Sequence, residues 1–151
     1  MEHLNSINGI LDFAIEQEQI AADFYNNIAK KSATGEMQAV FQGFAKEEMG
    51  HKAKLINIKE KGTYTLTANK ILDLRMSDFI DTTQPRSDMT YQDILKIAMH
   101  REKAAFKLYI ILSTKAPNEE LKNVFLMLAQ EEAKHKLRFE IEYDEYVLNE
   151  N

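Results

Sequence analysis

Two Glu-x-x-His motifs are the residues of this sequence best suited to chemistry. Glu48 and His51 form the first motif, and Glu132 and His135 form the second. Because residues three apart lie on one face of a helix, each motif presents a carboxylate and an imidazole side by side. Such mixed ligands suit iron or manganese; copper and nickel are less expected, and zinc remains an alternative.

Glu18 and Glu102 extend this donor set from two other segments. Each Glu lies three, four or seven residues from apolar neighbours, which are Ala14, Ala21 and Tyr25 for the first and Ala98, Ala105 and Tyr109 for the second. This spacing predicts that all four glutamates face the interior, where a lone carboxylate is very costly. Four such carboxylates carry about four negative charges together, which two divalent cations would neutralise.

The sequence contains an internal duplication with an offset of 84 residues. Without gaps, Glu18 aligns with Glu102, and AKEEMGHK at 45–52 aligns with AQEEAKHK at 129–136. Shared helical periodicity explains the aliphatic matches, but it does not explain the matching Glu, His and Tyr residues. The pattern indicates a duplicated helical hairpin with a pseudo-two-fold axis through the bundle.

Four long helices are predicted to carry these residues. Apolar residues recur every three or four positions over about 6–31, 35–61, 90–114 and 117–148, with Ser6 and Thr90 as expected N-caps and Pro117 as a suitable helix start. The stretch at about 62–89 loses this pattern, apart from a short candidate helix around 69–79. A helix of about 26 residues is roughly 39 Å long, so this crossover can run back along the bundle and give an up-down-down-up order.

Composition narrows the class of protein. The 151 residues fit one domain, and 5 Gly and 2 Pro are too few for many tight turns, which argues against an all-β fold. The absence of Cys excludes thiolate metal sites and cysteine nucleophiles. A net charge of -5 argues against nucleic-acid binding, and no apolar run is long enough to span a membrane. The N-terminus has no basic region typical of a signal peptide, so we expect a soluble cytoplasmic protein.

The motifs resemble those of the rubrerythrin branch of the ferritin-like superfamily. The resemblance rests on EQIAADFY with Glu18, its mirror EKAAFKLY with Glu102, and the two Glu-x-x-His motifs. It covers the chain outside the crossover. It implies an all-α fold, a ferritin-like four-helix bundle of two duplicated hairpins joined by a long crossover. The single domain would span residues 1–151, with repeat halves at about 6–61 and 90–148.

The resemblance also implies a metal centre and an activity. Two iron ions, with manganese as an alternative, would be held by Glu18, Glu48, His51, Glu102, Glu132 and His135. Glu48 and Glu132 would bridge the metals or bind one each, and Glu18 and Glu102 would be terminal ligands. The expected protein is a non-haem di-iron oxidoreductase that reduces hydrogen peroxide or dioxygen. Non-catalytic iron binding or storage, a metal-stabilised structural bundle and a manganese catalase-like enzyme remain alternatives.

Two departures from rubrerythrins shape these expectations. Rubrerythrins carry a seventh ligand, a Glu three residues after the third-helix ligand, where this sequence has Ala105. They also carry a four-Cys rubredoxin domain, whereas this sequence has no Cys. We therefore expect six protein ligands and an external electron donor such as a rubredoxin. By analogy, the bundle could form a homodimer.

Four residues near the proposed ligands have two interpretations each. Tyr25 and Tyr109 lie two helical turns from their Glu, so each hydroxyl either bonds a carboxylate ligand or belongs to an ordinary core aromatic residue. Glu47 and Glu131 each precede a ligand, and we favour solvated charges over side chains that orient a His. Glu16 and His100 are predicted to lie on the surface.

Overall fold

Four long helices make up nearly all of the described structure. The computed structural model describes residues 3–4, 7–32, 34–61, 74–75, 89–116 and 118–150. The helices are α1 (Ile7–Ala29), α2 (Gly35–Lys61), α3 (Tyr91–Lys115) and α4 (Glu119–Glu150). The predicted all-α four-helix bundle is therefore confirmed.

Capping side chains fix where two of the helices begin. Thr90 accepts a hydrogen bond from the backbone N–H of Asp93 at 3.1 Å, and the Asp93 carboxylate accepts one from the backbone N–H of Thr90 at 3.2 Å. This reciprocal pair is a capping box, and it confirms Thr90 as the N-cap that the sequence predicts. At α2, the Thr34 hydroxyl accepts a hydrogen bond from the backbone N–H of Met37 at 3.1 Å.

The start of α4 differs from the sequence prediction. We predicted a start at about Pro117, which lies outside the described residues. The helix begins at Glu119. The side chain of Asn118 accepts a hydrogen bond from the backbone N–H of Leu121 at 2.8 Å. An Asn side chain can accept a hydrogen bond from a backbone N–H of the first helical turn, whereas a Pro side chain cannot. Asn118 is therefore the N-cap of α4.

Contacts between helices establish their directions. Within the first hairpin, Lys59 bonds Asp12 and Lys52 bonds Gln19, so α1 and α2 are antiparallel. Between the hairpins, Tyr109 contacts Glu18 while Arg101 lies over the ring of Phe24, so α1 and α3 are also antiparallel. The contacts Tyr91–Glu142 and Gln92–Tyr143 join α3 to the C-terminal part of α4. These directions give the up-down-down-up order that the sequence predicted.

Two apolar clusters lie at opposite ends of the bundle. One cluster contains Leu11, Leu55, Leu112 and Phe125, and the other contains Ile28, Phe41, Leu95 and Phe139. Both receive residues from all four helices. On each helix, the polar residues described below lie between the residues of the two clusters. Apolar packing on both sides therefore holds these polar residues in position.

Most of the predicted crossover lies outside the described residues, as does the predicted N-cap Ser6. The exception is a two-residue strand, β2 (Leu74–Arg75), which pairs antiparallel with β1 (His3–Leu4). The candidate helix around 69–79 is therefore wrong at these two residues, and its remainder lies outside the described part. No helix among the described residues is long and apolar enough to cross a membrane.

We expect Thr90→Ala to lower the free energy of unfolding by about 1 kcal/mol, because it removes the capping box of α3. Urea denaturation of the metal-free protein measures this change. Thr114→Ala is the control, since its exposed hydroxyl donates a hydrogen bond to the carbonyl oxygen of Ile111 in its own helix and does not cap a helix start. An equal loss of stability in both variants would contradict the capping role.

Candidate metal centre

The six predicted ligands converge in the interior of the bundle. Glu18, Glu48, Glu102 and Glu132 are at most 3% exposed, and the two His are less than 10% exposed. Their ligand atoms form two groups, in each of which all atoms lie within 4.8 Å of one another. The first group contains Glu18, Glu48, His51 and Glu132, and the second contains Glu48, Glu102, Glu132 and His135. Glu48 and Glu132 belong to both groups, which is the placement that bridging ligands require.

The two groups are arranged around the Nδ1 atoms of the histidines. Nδ1 of His51 lies 2.9 Å from Glu132 Oε1 and 3.6 Å from Glu18 Oε2. Nδ1 of His135 lies 2.9 Å from Glu48 Oε1 and 3.6 Å from Glu102 Oε1. Each His thus faces the Glu of the other Glu-x-x-His motif and one Glu from α1 or α3. The duplication seen in the sequence is reproduced in space.

Several ligand atoms of the centre have no hydrogen-bond partner within the described part of the chain. They are Glu18 Oε2, Glu48 Oε1, Glu102 Oε2 and His135 Nδ1, all buried. The 2.9 Å approach of His135 Nδ1 to Glu48 Oε1 does not form a hydrogen bond. Buried polar atoms are normally paired, so orphaned acceptors that converge on one point fit a cation. The donor set, four carboxylates and two imidazoles, is that of a di-metal carboxylate centre.

Crowded carboxylates shift the pKa values of the centre. Burial raises the pKa of Glu48, and the charges of Glu132 and Glu18 raise it further. Burial and the charges of Glu102 and Glu18 likewise raise the pKa of Glu132. Burial raises the pKa of Glu102 to about 8, although its interaction with the neighbouring Glu132 opposes this shift. Without metal, protons replace cations at these carboxylates.

Glu18 and His51 form the ionised part of the metal-free centre. Burial disfavours the charged form of Glu18, but the neighbouring Glu48 and His51 and the hydrogen bond from Tyr109 outweigh it, so its pKa is lowered. Burial also disfavours the imidazolium of His51, yet the hydrogen bond with Glu132 and the nearby Glu18 carboxylate raise its pKa to about 9. A metal ion at this position would have to displace the imidazolium proton.

The two tyrosines differ in a way that the sequence did not indicate. The Tyr109 hydroxyl donates a short hydrogen bond to Glu18 from the opposite repeat. The hydroxyl of its mirror residue, Tyr25, is buried and has no hydrogen-bond partner among the residues that the structure describes. The interpretation as a carboxylate partner therefore holds for Tyr109, whereas Tyr25 packs as a core aromatic residue against Phe139.

Glu47 is the residue of the site that sequence reasoning undervalued. It is half exposed, yet its Oε2 atom lies 2.5 Å from Nε2 of the buried His135. The signal in the sequence is the Glu repeated directly before each motif, but its position off the face of the ligands favours a solvated charge. Glu16 and His100 are exposed, as predicted.

Comparisons with known proteins match the chain to a family and to solved structures of the same fold. A protein-family model described as Rubrerythrin matches residues 9–77 and 93–151, which is most of the chain. Among solved structures, a candidate ferritin-like diiron-carboxylate protein from Thermotoga maritima is 20% identical with a TM-score of 0.78, and the match covers 97% of this chain and 99% of that one. A hypothetical protein from Pyrococcus furiosus is 23% identical with a TM-score of 0.72, covering 93% and 89%. At these identities, the solved structures establish the shared fold. No curated protein gives a significant match.

We expect the metal-free protein to lose stability as the pH rises from 6.5 to 8. In the folded state, Glu102 titrates near pH 8 rather than 4.5, and His51 near pH 9 rather than 6.5. The folded state therefore binds more protons than the unfolded state in this range, so raising the pH favours unfolding. Each such proton lowers the free energy of unfolding by about 1.4 kcal/mol per pH unit. Thermal melts across this pH range measure the effect. The control Glu16→Gln should keep the same slope of stability against pH, and a stability that does not change with pH would contradict the prediction.

We expect Tyr109→Phe to destabilise the metal-free protein by about 1–3 kcal/mol, because the buried Glu18 carboxylate loses its donor. Tyr25→Phe is the matched variant in the other repeat. It removes a hydroxyl that has no hydrogen-bond partner among the described residues, so we expect no loss of stability. Urea denaturation at pH 7 compares the two, and equal effects would show that the tyrosines are equivalent.

Proposed function

The chain belongs to the rubrerythrin family, and from this membership we propose that it is a di-iron-carboxylate oxidoreductase. Its substrate would be hydrogen peroxide or dioxygen, and an external carrier such as a rubredoxin would supply the electrons. The single observation that carries the proposal is the buried centre, in which four carboxylates and two imidazoles converge without enough protein partners. Iron rather than manganese is the proposed metal, since both suit this donor set and the family resemblance favours iron.

Residues of the chain have distinct roles in this proposal. Glu48 and Glu132 would lie between the two metals, because each belongs to both ligand groups. His51 and Glu18 would serve one metal, and His135 and Glu102 the other. Four carboxylates balance the charge of two divalent cations, so the loaded centre would be close to neutral in the interior.

Two ferrous ions in this centre would supply one electron each, enough to convert hydrogen peroxide and two protons into two water molecules. The chain's contribution is to hold the ligands rigidly and to exclude bulk water. The Tyr109 hydroxyl fixes Glu18, and the apolar clusters at both ends fix the helices that carry the ligands. At the position of the seventh ligand of rubrerythrins stands Ala105, which offers no donor atom.

The first test is elemental analysis of protein purified without oxygen or added metal. We expect about two irons per chain. The diferrous protein should then be oxidised by peroxide or dioxygen faster than free ferrous iron in stopped-flow absorption measurements. Glu132→Ala should lose both properties, because it removes a carboxylate shared by both ligand groups. Glu131→Ala, its neighbour in sequence, should keep them.

Other outcomes would replace the proposal. Oxidation no faster than that of free ferrous iron would contradict the enzymatic role. Iron far in excess of two per chain would indicate storage. Two manganese ions per chain would indicate catalase-like dismutation. A strong rise in melting temperature on metal binding, without redox activity, would indicate a structural metal.

A further inference from the structure

The two halves of the centre have equivalent ligands but different surroundings. In sequence, His51 and His135 occupy the same place in the two repeats, and so do Glu47 and Glu131. In space, Glu47 on α2 reaches across to His135 on α4, with 2.5 Å between Oε2 and Nε2. Within the described part of the chain, no hydrogen bond or ion pair joins Glu131 to His51. The repeat symmetry is therefore broken next to the ligands.

The contact with Glu47 determines which nitrogen of His135 carries the proton. A carboxylate accepts hydrogen bonds, so Nε2 of His135 is the donor and carries hydrogen. In the neutral ring, Nδ1 then keeps its lone pair, and this atom points at Glu48 and Glu102. A carboxylate behind a metal-binding imidazole also makes the ring a stronger ligand.

Aromatic packing holds His135 in the same orientation. The ring of Phe44 stacks on the imidazole, with centroids 4.1 Å apart and planes inclined by 28°. Tyr25 contacts the same ring edge-on at 6.3 Å. At the position of Phe44, the second repeat carries Leu128, which offers no aromatic ring. His135 is also more deeply buried than His51, at 2% against 8% exposure.

We propose that Glu47 is a positioning residue that, together with Phe44, preorganises His135, so that the half of the centre containing His135 and Glu102 binds metal first and more tightly. The second metal enters the half containing His51 and Glu18. This inference rests on the metal centre of the proposed function, but it does not depend on peroxide or dioxygen chemistry.

Glu47→Gln and Glu131→Gln provide a matched pair for the test. Each substitution removes one negative charge from the residue that directly precedes a shared carboxylate ligand. Only the first replaces a carboxylate that contacts a His, and the amide of Gln can either accept from or donate to the ring nitrogen, so it selects neither tautomer. Titration of the metal-free proteins with Co(II), followed by d–d absorption, measures the affinity of each step. We expect Glu47→Gln to weaken the tighter step about 10–100-fold and Glu131→Gln to leave it unchanged.

Glu47→Asp separates position from charge. It keeps the carboxylate but shortens the side chain by one methylene, so we expect it to behave like Glu47→Gln. An affinity equal to that of the wild-type protein would show that charge alone acts, and would overturn the positioning role. Because Glu47 is half exposed, neither substitution should disturb folding.

NMR of protein labelled with ¹⁵N-histidine identifies the half that fills first. In the metal-free wild type, His135 should show the tautomer with hydrogen on Nε2. Up to one equivalent of Zn(II), a diamagnetic probe, should shift Nδ1 of His135, and the second equivalent should shift His51. Glu47→Gln should lose the single tautomer and the order of filling, whereas Glu131→Gln should keep both.

The possible failures are distinguishable. If the wild-type protein binds neither Co(II) nor Zn(II), the metal centre of the proposed function fails and this inference fails with it. If it binds two ions per chain, but His51 responds first or the two Gln variants behave alike, only the preorganisation by Glu47 is overturned.

Discussion

Mutual repulsion among four buried carboxylates is the constraint on which the rest of this structure depends. Carboxylates that approach one another out of water cannot all be ionised unless positive charge lies among them. In the metal-free protein, bound protons and the imidazolium of His51 supply that charge. Burial first, and then the charges of neighbouring carboxylates, raise the pKa values of Glu48, Glu102 and Glu132, so these groups hold protons. Two divalent cations supply the same charge without protonating the ligands. The carboxylates are thus neutralised either by protons or by metal ions. Metal binding would therefore release protons from the centre.

The helices tolerate this centre because their stability arises elsewhere. The two apolar clusters lie on either side of the ligands and receive side chains from all four helices. Burying one large apolar side chain contributes about 1.5–3 kcal/mol, which is similar to the cost of one orphaned buried polar atom at about 1–3 kcal/mol. Fully buried large side chains outnumber the orphaned atoms of the centre. The bundle can therefore fold around ligands that do not satisfy one another.

The sequence carries the fold and the ligand set for a physical reason. Apolar spacing of three and four residues specifies which helix face is buried, and a Glu or His on that face must point into the interior. The six ligands follow from this rule together with the duplication. Contacts between helices do not follow from it, because they depend on rotamers and on how the two hairpins pack. Three features are therefore seen only in the structure. They are the hydrogen bond from Tyr109 to Glu18, the Tyr25 hydroxyl without a partner among the described residues, and the contact of Glu47 with His135. The start of α4 lies two residues after the predicted Pro117, because the side chain of Asn118 caps the helix.

Duplication explains why the two halves of the centre have the same ligands. The residues around the ligands are less constrained, so they can differ between the halves. A ligand must occupy the same place in both repeats if each half is to hold a metal, so substitution there would remove a donor. A neighbour such as Phe44 faces no such requirement, and its counterpart is Leu128. The stacking of Phe44 on His135 and the contact from Glu47 then favour one half over the other. Because the two metals would share Glu48 and Glu132, occupation of the favoured half would already fix both shared carboxylates. The second metal would therefore bind to shared carboxylates that the first metal already holds in place. Packing differences outside the ligand set can in this way determine the order in which a centre with symmetric ligands is filled.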